Sequence, residues 1–143
     1  MQRTKPVKRT ARPKDVAVLE GAFEDWNANR IDDVAARYSP DAELDLSAVM
    51  PEARAIRDLP RLRHFWRMLR ENWYGVRLDV VDIIDVTGDG RYVVDCRLRS
   101  TRSSNGDTLK RMVYVFTLDD EQVITRCQAA PDLETAIRLA GEG

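Results

Sequence analysis

The sequence predicts an α+β fold, with helices supplied mainly by the N-terminal half and a mostly antiparallel sheet built by the C-terminal half. Three observations carry this reading. Residues 76–87, 91–102, 108–118 and 122–130 are rich in Val, Ile, Tyr, Phe and Thr, the residues that fit a pleated surface. Between these runs stand Gly88-Asp89-Gly90, Ser103-Ser104-Asn105-Gly106 and Asp119-Asp120-Glu121, which are turn chemistry. Upstream of residue 76, apolar residues recur at helical spacing in three separate stretches.

Asp15 is a candidate N-cap for the first helix, in which Leu19, Ala22, Phe23 and Trp26 form one stripe. That helix should end near Asn29, since asparagine tolerates the left-handed conformation found just beyond helix ends. Ile31, Val34, Ala35 and Tyr38 repeat the spacing, giving a short second helix stopped by Ser39-Pro40. Residues 42–47 alternate, with Ala42, Leu44 and Leu46 on one face and Glu43, Asp45 and Ser47 on the other, which reads as a half-buried strand. Residues 48–57 show no period and are expected to be a loop. Asp58 caps a third helix that carries Leu62, Phe65, Trp66, Leu69 and Trp73 as its stripe, and Gly75 closes it. A last helix runs from residue 133 to about 140, behind Pro131-Asp132.

Length and composition bound the rest. A chain of 143 residues is one domain large enough for a real core, expected to span 15–143. No apolar run approaches the roughly 20 residues that cross a bilayer, and the N-terminus has no apolar core of a signal peptide. Alternation places Cys96 and Cys127 on opposite sheet faces, unable to bond, so a reducing, cytoplasmic setting is expected. Six of the 23 basic residues lie in 1–14 with no acid among them, leaving 17 against 24 acids in the remainder. The tail 1–14 is therefore expected to be a disordered, solubilising segment, with Pro6 and Pro13 opposing helix. Nucleic acid is not expected as a partner except through that tail, because the domain itself is acidic.

Several pieces, in this order, resemble the SnoaL-like branch of the nuclear transport factor 2-like superfamily. They are Trp26-Asn27-Ala28-Asn29-Arg30-Ile31-Asp32-Asp33, Ser39-Pro40-Asp41-Ala42-Glu43-Leu44-Asp45-Leu46-Ser47, Arg63-His64-Phe65-Trp66, Val115-Phe116-Thr117-Leu118 and Ile124-Thr125-Arg126 leading to Asp132. The resemblance covers about residues 16–140. It implies a cone, a curved sheet wrapped around the three N-terminal-half helices with an apolar pocket between them, often dimeric through the sheet's outer face. It further implies a small, mainly apolar ligand, with cyclase-, isomerase- or hydrolase-type activity among relatives and no assigned activity in many others.

Laid over this chain, the isomerase pattern puts its carboxylate base at Leu46, its tyrosine at Ala22 and its protonated acid at Tyr114, so the base is absent. The cyclase pattern puts a histidine at Tyr114 and an acid/base aspartate near Gln128, and glutamine exchanges no proton near neutral pH. The candidates for chemistry are accordingly Tyr114, as donor to a carbonyl or alkoxide, with Asp45 or Asp132 to supply a base. Alternation turns Asp45 away from the pocket unless a bulge intervenes, and Asp132 also fits as N-cap of the last helix. The expected ligand-binding wall is Gln128, Arg126, Met112, Phe116, Trp26, Trp66 and Leu46, on the reading that Ile124, Arg126, Gln128 and Ala130 face inward with Met112, Tyr114 and Phe116. His64 lies off the apolar stripe of its helix and should face solvent. No His/Cys cluster points to a metal and no Gly-rich loop to a phosphate, so no cofactor is expected.

The alternative is a non-catalytic homodimeric module. Its pocket would be filled by its own aromatics, and its interface would be the outer face carrying Val93, Val113, Val115 and Thr117 beside Arg97 and Arg99.

Overall fold

The computed structural model describes residues 12–52, 54–72, 75–100 and 108–142. Residues 1–11 of the basic tail, the 103–106 turn and Trp73 therefore lie outside the described residues. The elements are α1 (Pro13–Asn27), α2 (Ile31–Ala35), β1 (Tyr38–Asp45), β2 (Ile56–Arg57), α3 (Leu59–Asn72), β3 (Val76–Asp85), β4 (Arg91–Ser100), β5 (Thr108–Leu118), β6 (Ile124–Ala130) and α4 (Leu133–Glu142). The six strands form one sheet in the order β2-β1-β6-β5-β4-β3, antiparallel throughout except for the parallel β1–β6 pair. Helices α1, α2 and α3 cover one face, as the cone fold requires, and α4 covers part of the other. Among the described residues no helix is long and apolar enough to cross a membrane.

The local sequence signals are realised with two differences at helix 1. Asn29 adopts φ 61°, the left-handed residue that ends the α1 region. Asp58 accepts a hydrogen bond from the Arg61 amide at 3.1 Å and Asp132 one from the Thr135 amide at 2.7 Å, so both cap the helices that follow them. Helix α1, however, begins at Pro13, where proline's missing N–H costs nothing, and Asp15 sits inside its first turn as a fully buried side chain. Its carboxylate is held by Arg12 Nε and by the Tyr92 hydroxyl, both at 2.6 Å, which ties α1 to β4.

Two strand assignments also differ. Tyr38 opens β1 rather than closing the second helix, and β1 runs through Ser39-Pro40. Proline is tolerated there because the β1–β6 register is broken between Tyr38 and Glu43. Ile56–Arg57, expected in a loop, adds a two-residue edge strand against Glu43 and Leu44.

Alternation divides the sheet into two faces. Tyr92, Val94, Cys96 and Leu98 of β4 join Met112, Tyr114, Phe116 and Leu118 of β5 in the main core beneath the helices, as expected. Val93, Val113 and Val115 form a smaller core with Ala136 and Ala140 of α4. The outer valines are thus buried within the chain at 0%, 3% and 5% exposure, and the apolar interface expected on that face is covered by its own C-terminal helix.

The expectation for β6 fails at one residue. Leu118 pairs with Ile124 but Thr117 pairs with Arg126, leaving Thr125 unopposed. This bulge reverses the parity of everything after Ile124. Cys127 and Ala129 point into the main core, while Arg126 and Gln128 point outward with their partners Thr117 and Val115. Cys96 and Cys127 consequently share the inner face, on strands separated by β5, and both are free thiols.

Candidate functional site

Between the sheet and the helices lies a cavity of about 80 Å³. Helix α1 supplies Ala22, Phe23 and Trp26 because its i, i+1, i+4 spacing turns that stripe to the sheet. Leu44 and Leu46 come from β1, Phe65, Trp66 and Leu69 from α3, and Leu78, Tyr114, Phe116 and Cys127 from the sheet. A second chamber of about 80 Å³, reaching Met50, Leu98, Lys110 and Met112, shares Leu46, Leu69 and Tyr114 with the first. Tyr114 therefore stands on the wall common to both. Its ring lies 6.2 Å from Phe23 and 6.1 Å from Phe116, and Tyr38 packs edge-on to Trp66 at 4.9 Å.

The walls are apolar apart from a few groups. Tyr38, Tyr114 and the Cys127 thiol converge on the first chamber. Burial pushes both tyrosines well above their ordinary value, and Cys127 is pushed up for the same reason. All three are hydrogen-bearing, neutral groups across the physiological range. The Tyr38 hydroxyl and the Cys127 thiol interact with each other, whereas the Tyr114 hydroxyl makes no hydrogen bond among the described residues.

The candidates for base chemistry are elsewhere. Asp45 lies on the outer face, where the Ser47 hydroxyl and amide hold it at 2.7 and 3.0 Å and keep its pKa below the ordinary value. Asp132 is an exposed helix cap whose bond from Thr135 likewise lowers it. Gln128 and Arg126, expected on the inner wall, form an outer-face network instead. Arg126 Nη1 donates to Gln128 Oε1 at 2.6 Å and Arg126 Nε to Glu43 at 3.1 Å. The Thr125 bulge is the physical reason. Neither chamber has a carboxylate or a histidine among its described lining residues. Of the expected binding residues, Trp26, Trp66, Leu46 and Phe116 line the first chamber and Met112 the second. His64 is exposed on α3. Among the described residues no group of three or more His, Cys, Asp or Glu side chains is placed to hold a metal.

The family model of the SnoaL-like domain matches residues 19–126, about three quarters of the chain and all of the first chamber's lining except Cys127. The chain belongs to the SnoaL-like family. Solved structures agree on the fold. A nuclear transport factor 2-like protein of unknown function from Burkholderia pseudomallei superposes with a TM-score of 0.69 at 17% identity, over 90% of this chain and 98% of that one. TerC, co-crystallised with polyporic acid, gives a TM-score of 0.67 at 19% identity over 91% and 99% of the two chains. RV0760c of Mycobacterium tuberculosis, in complex with estradiol-17beta-hemisuccinate, gives 0.65 at 13% identity over 86% and 97%. At such identities the likeness is one of fold. No curated protein matches the chain in sequence.

Within this SnoaL-like domain, three features of the site escaped the sequence reading. Tyr38 was masked by its helical spacing to Ile31 and Val34, although it is also in phase with Ala42, Leu44 and Leu46 at a period of two. Cys127 was hidden by the Thr125 bulge, for which no glycine or proline gives a signal. Asn27 was legible only as a residue off the apolar stripe, yet its side chain clamps the β3 backbone beside the cavity.

Proposed function

We propose that this SnoaL-like domain binds a small, mainly apolar molecule bearing a carbonyl, with Tyr114 donating a hydrogen bond to the carbonyl oxygen. The observation that carries the reading is the hydroxyl of the buried Tyr114 side chain: held in its protonated form, with no hydrogen bond among the described residues, and on the wall shared by two chambers. A buried donor without an acceptor loses the free energy of a hydrogen bond, and a ligand oxygen restores it. Each chamber alone is smaller than the roughly 150 Å³ that accommodates benzene, while the two together reach it, so one ring fits the joined chambers and a two-ring body enters only where the walls at Leu46 and Leu69 yield. That TerC and RV0760c hold polyporic acid and estradiol-17beta-hemisuccinate within the same fold supports a ligand site in the cone.

Any reaction at such a wall is one in which negative charge grows on the ligand oxygen facing Tyr114, because a preoriented donor stabilises that charge more strongly than the neutral carbonyl. With the carboxylates on the outer face, proton abstraction by an aspartate is not part of this reading. The test is calorimetric titration of wild type and Tyr114→Phe with 2-acetonaphthone. The expected result is binding by wild type and about five- to tenfold weaker binding by the variant, the worth of one neutral hydrogen bond. Absence of binding, or equal binding by both proteins, overturns the proposal.

A further inference from the structure

Lys110 is the one charged side chain among the described lining residues of the two chambers. It comes from β5, where alternation divides two neighbouring cations between the faces of the sheet. Lys110 pairs with Leu98 and shares the inner face with Met112 and Tyr114, whereas Arg111 pairs with Arg97 on the outer face. Arg111 is engaged there by Asp95, its Nε and Nη2 each donating to a carboxylate oxygen at 2.9 Å. Lys110 forms no ion pair and no hydrogen bond among the described residues.

The residue is exposed although it lines the second chamber, so it stands where that chamber meets solvent. It shares the wall with the apolar side chains of Val49, Met50, Leu98 and Met112. A lysine in such a place lays its methylenes along the apolar wall and keeps its ammonium in water. Neither chamber has a carboxylate among its described lining residues, so the charge at this opening is unopposed, and low-dielectric walls strengthen its field. Lys110 and Tyr114 lie four residues apart on one strand face, which sets their Cα atoms about 13 Å apart. One donor is neutral and buried; the other is charged and at the rim. A ligand that satisfies both carries a carbonyl at one end, an anion at the other, and an apolar body between them.

We infer that Lys110 is a specificity-determining residue whose ammonium takes a carboxylate at the outer end of the ligand, so that the cavity selects aryl keto acids over neutral ketones of the same shape. The inference rests on the cavity being a ligand site with the carbonyl at Tyr114. A lysine ammonium is a compact charge with three donors on a flexible stem, so it follows the anion rather than imposing a planar fork on it.

The experiment compares 4-acetylbenzoate with 4-nitroacetophenone, whose neutral nitro group has the shape of the carboxylate. Binding is followed through protein amide shifts in NMR titrations at low, constant ionic strength. Wild type is expected to bind 4-acetylbenzoate about three- to tenfold more tightly, the effect of a charge-assisted hydrogen bond reduced by the water around an exposed lysine. K110Q should bind the two probes alike, K110E should favour the neutral one and K110R should keep the preference; the amide spectra show that each variant has folded. In wild type the preference should shrink as salt is raised to about 1 M. Equal binding of both probes by wild type, a preference that salt leaves unchanged, or an undiminished preference in K110Q overturns the assignment of Lys110 while leaving the cavity reading intact. Failure of wild type to bind either probe overturns both.

Discussion

Asn27 grips the backbone of Leu78 on both sides: its side-chain amide donates to the Leu78 carbonyl and its oxygen accepts from the Leu78 amide, each at 2.8 Å. Leu78 belongs to β3, the edge strand of the sheet, so the Asn27 amide takes the place of a seventh strand at that point. The residue before Asn27 is Trp26 and the residue it holds is Leu78, and both line the cavity. One side chain thus fixes the distance between two walls of the site. Asn27→Leu keeps the volume and removes both bonds, and should cost about 1–3 kcal/mol, since each partner is only partly reachable by water. Urea denaturation measures the loss, and hydrogen exchange should show the Leu78 amide losing its protection. An unchanged Leu78 exchange rate would mean that the clamp contributes nothing to the edge.

The Asp15 carboxylate has 0% exposure and two side-chain donors, Arg12 and Tyr92. Tyr92→Phe removes one of them without changing shape. The variant leaves the buried carboxylate on Arg12 Nε alone and also removes the acceptor of the Arg12 amide, while Oδ1 of Asp15 is already buried without a partner. The expected loss is about 1.5–3 kcal/mol, the worth of a hydrogen bond to a charged group. At Gly90, with φ 103°, an added Cβ would collide with the Leu118 carbonyl and crowd the same arginine, so Gly90→Ala should also destabilise, by about 1–3 kcal/mol. A midpoint of denaturation within error of wild type in Tyr92→Phe would show that the buried triad is energetically idle.

Most of this architecture is written in local patterns. The helix stripe of Leu19, Ala22, Phe23 and Trp26, the caps at Asp58 and Asp132, the left-handed Asn29 and the alternation of β4 and β5 are all short-range consequences of residue type, and they place Tyr114, Phe116 and Met112 on the inner face. What was not legible depends on pairing between distant strands. The Thr125 bulge arises from how β6 meets both β1 and β5, and it alone moves Gln128 and Arg126 out and Cys127 in. Coverage of Val93, Val113 and Val115 by α4 is likewise a tertiary fact, because an amphipathic C-terminal helix does not state which face it will take.

Whether the cavity is a ligand site or a packing vacancy can be decided by filling it. Ala22 lines the first chamber from α1, and leucine at that position carries enough extra volume to occupy it. Cavity filling of this kind commonly adds about 0.5–2 kcal/mol when no strain results. Ala22→Leu should therefore raise the denaturation midpoint and abolish 2-acetonaphthone binding together. Retained binding would place the ligand outside the first chamber, and a large loss of stability would show that the chamber is less open than 80 Å³ implies.

The same buried groups predict a decline of stability on the alkaline side. Burial raises Cys96 and Cys127 above their ordinary value of 9.0, and raises Tyr38 and Tyr114 well above 10.0. Tyr92 is pushed up to about 12, by burial and by its bond to the Asp15 carboxylate. For each group the folded chain holds its proton more tightly than the unfolded chain does. The stabilisation is complete below the unfolded pKa and is lost as pH rises towards the folded one. Between those two values each group contributes a fall of about 1.4 kcal/mol per pH unit. Urea midpoints should thus be level up to about pH 9, dictated by the thiols, and drop progressively from there towards pH 12, with the tyrosines joining above pH 10. Tyr114→Phe should lessen the slope above pH 10 while leaving the midpoint at pH 7 unchanged, because its hydroxyl makes no hydrogen bond among the described residues. A midpoint that stays level to pH 11 would require these tyrosines and thiols to ionise as easily inside the fold as outside it, which their burial forbids.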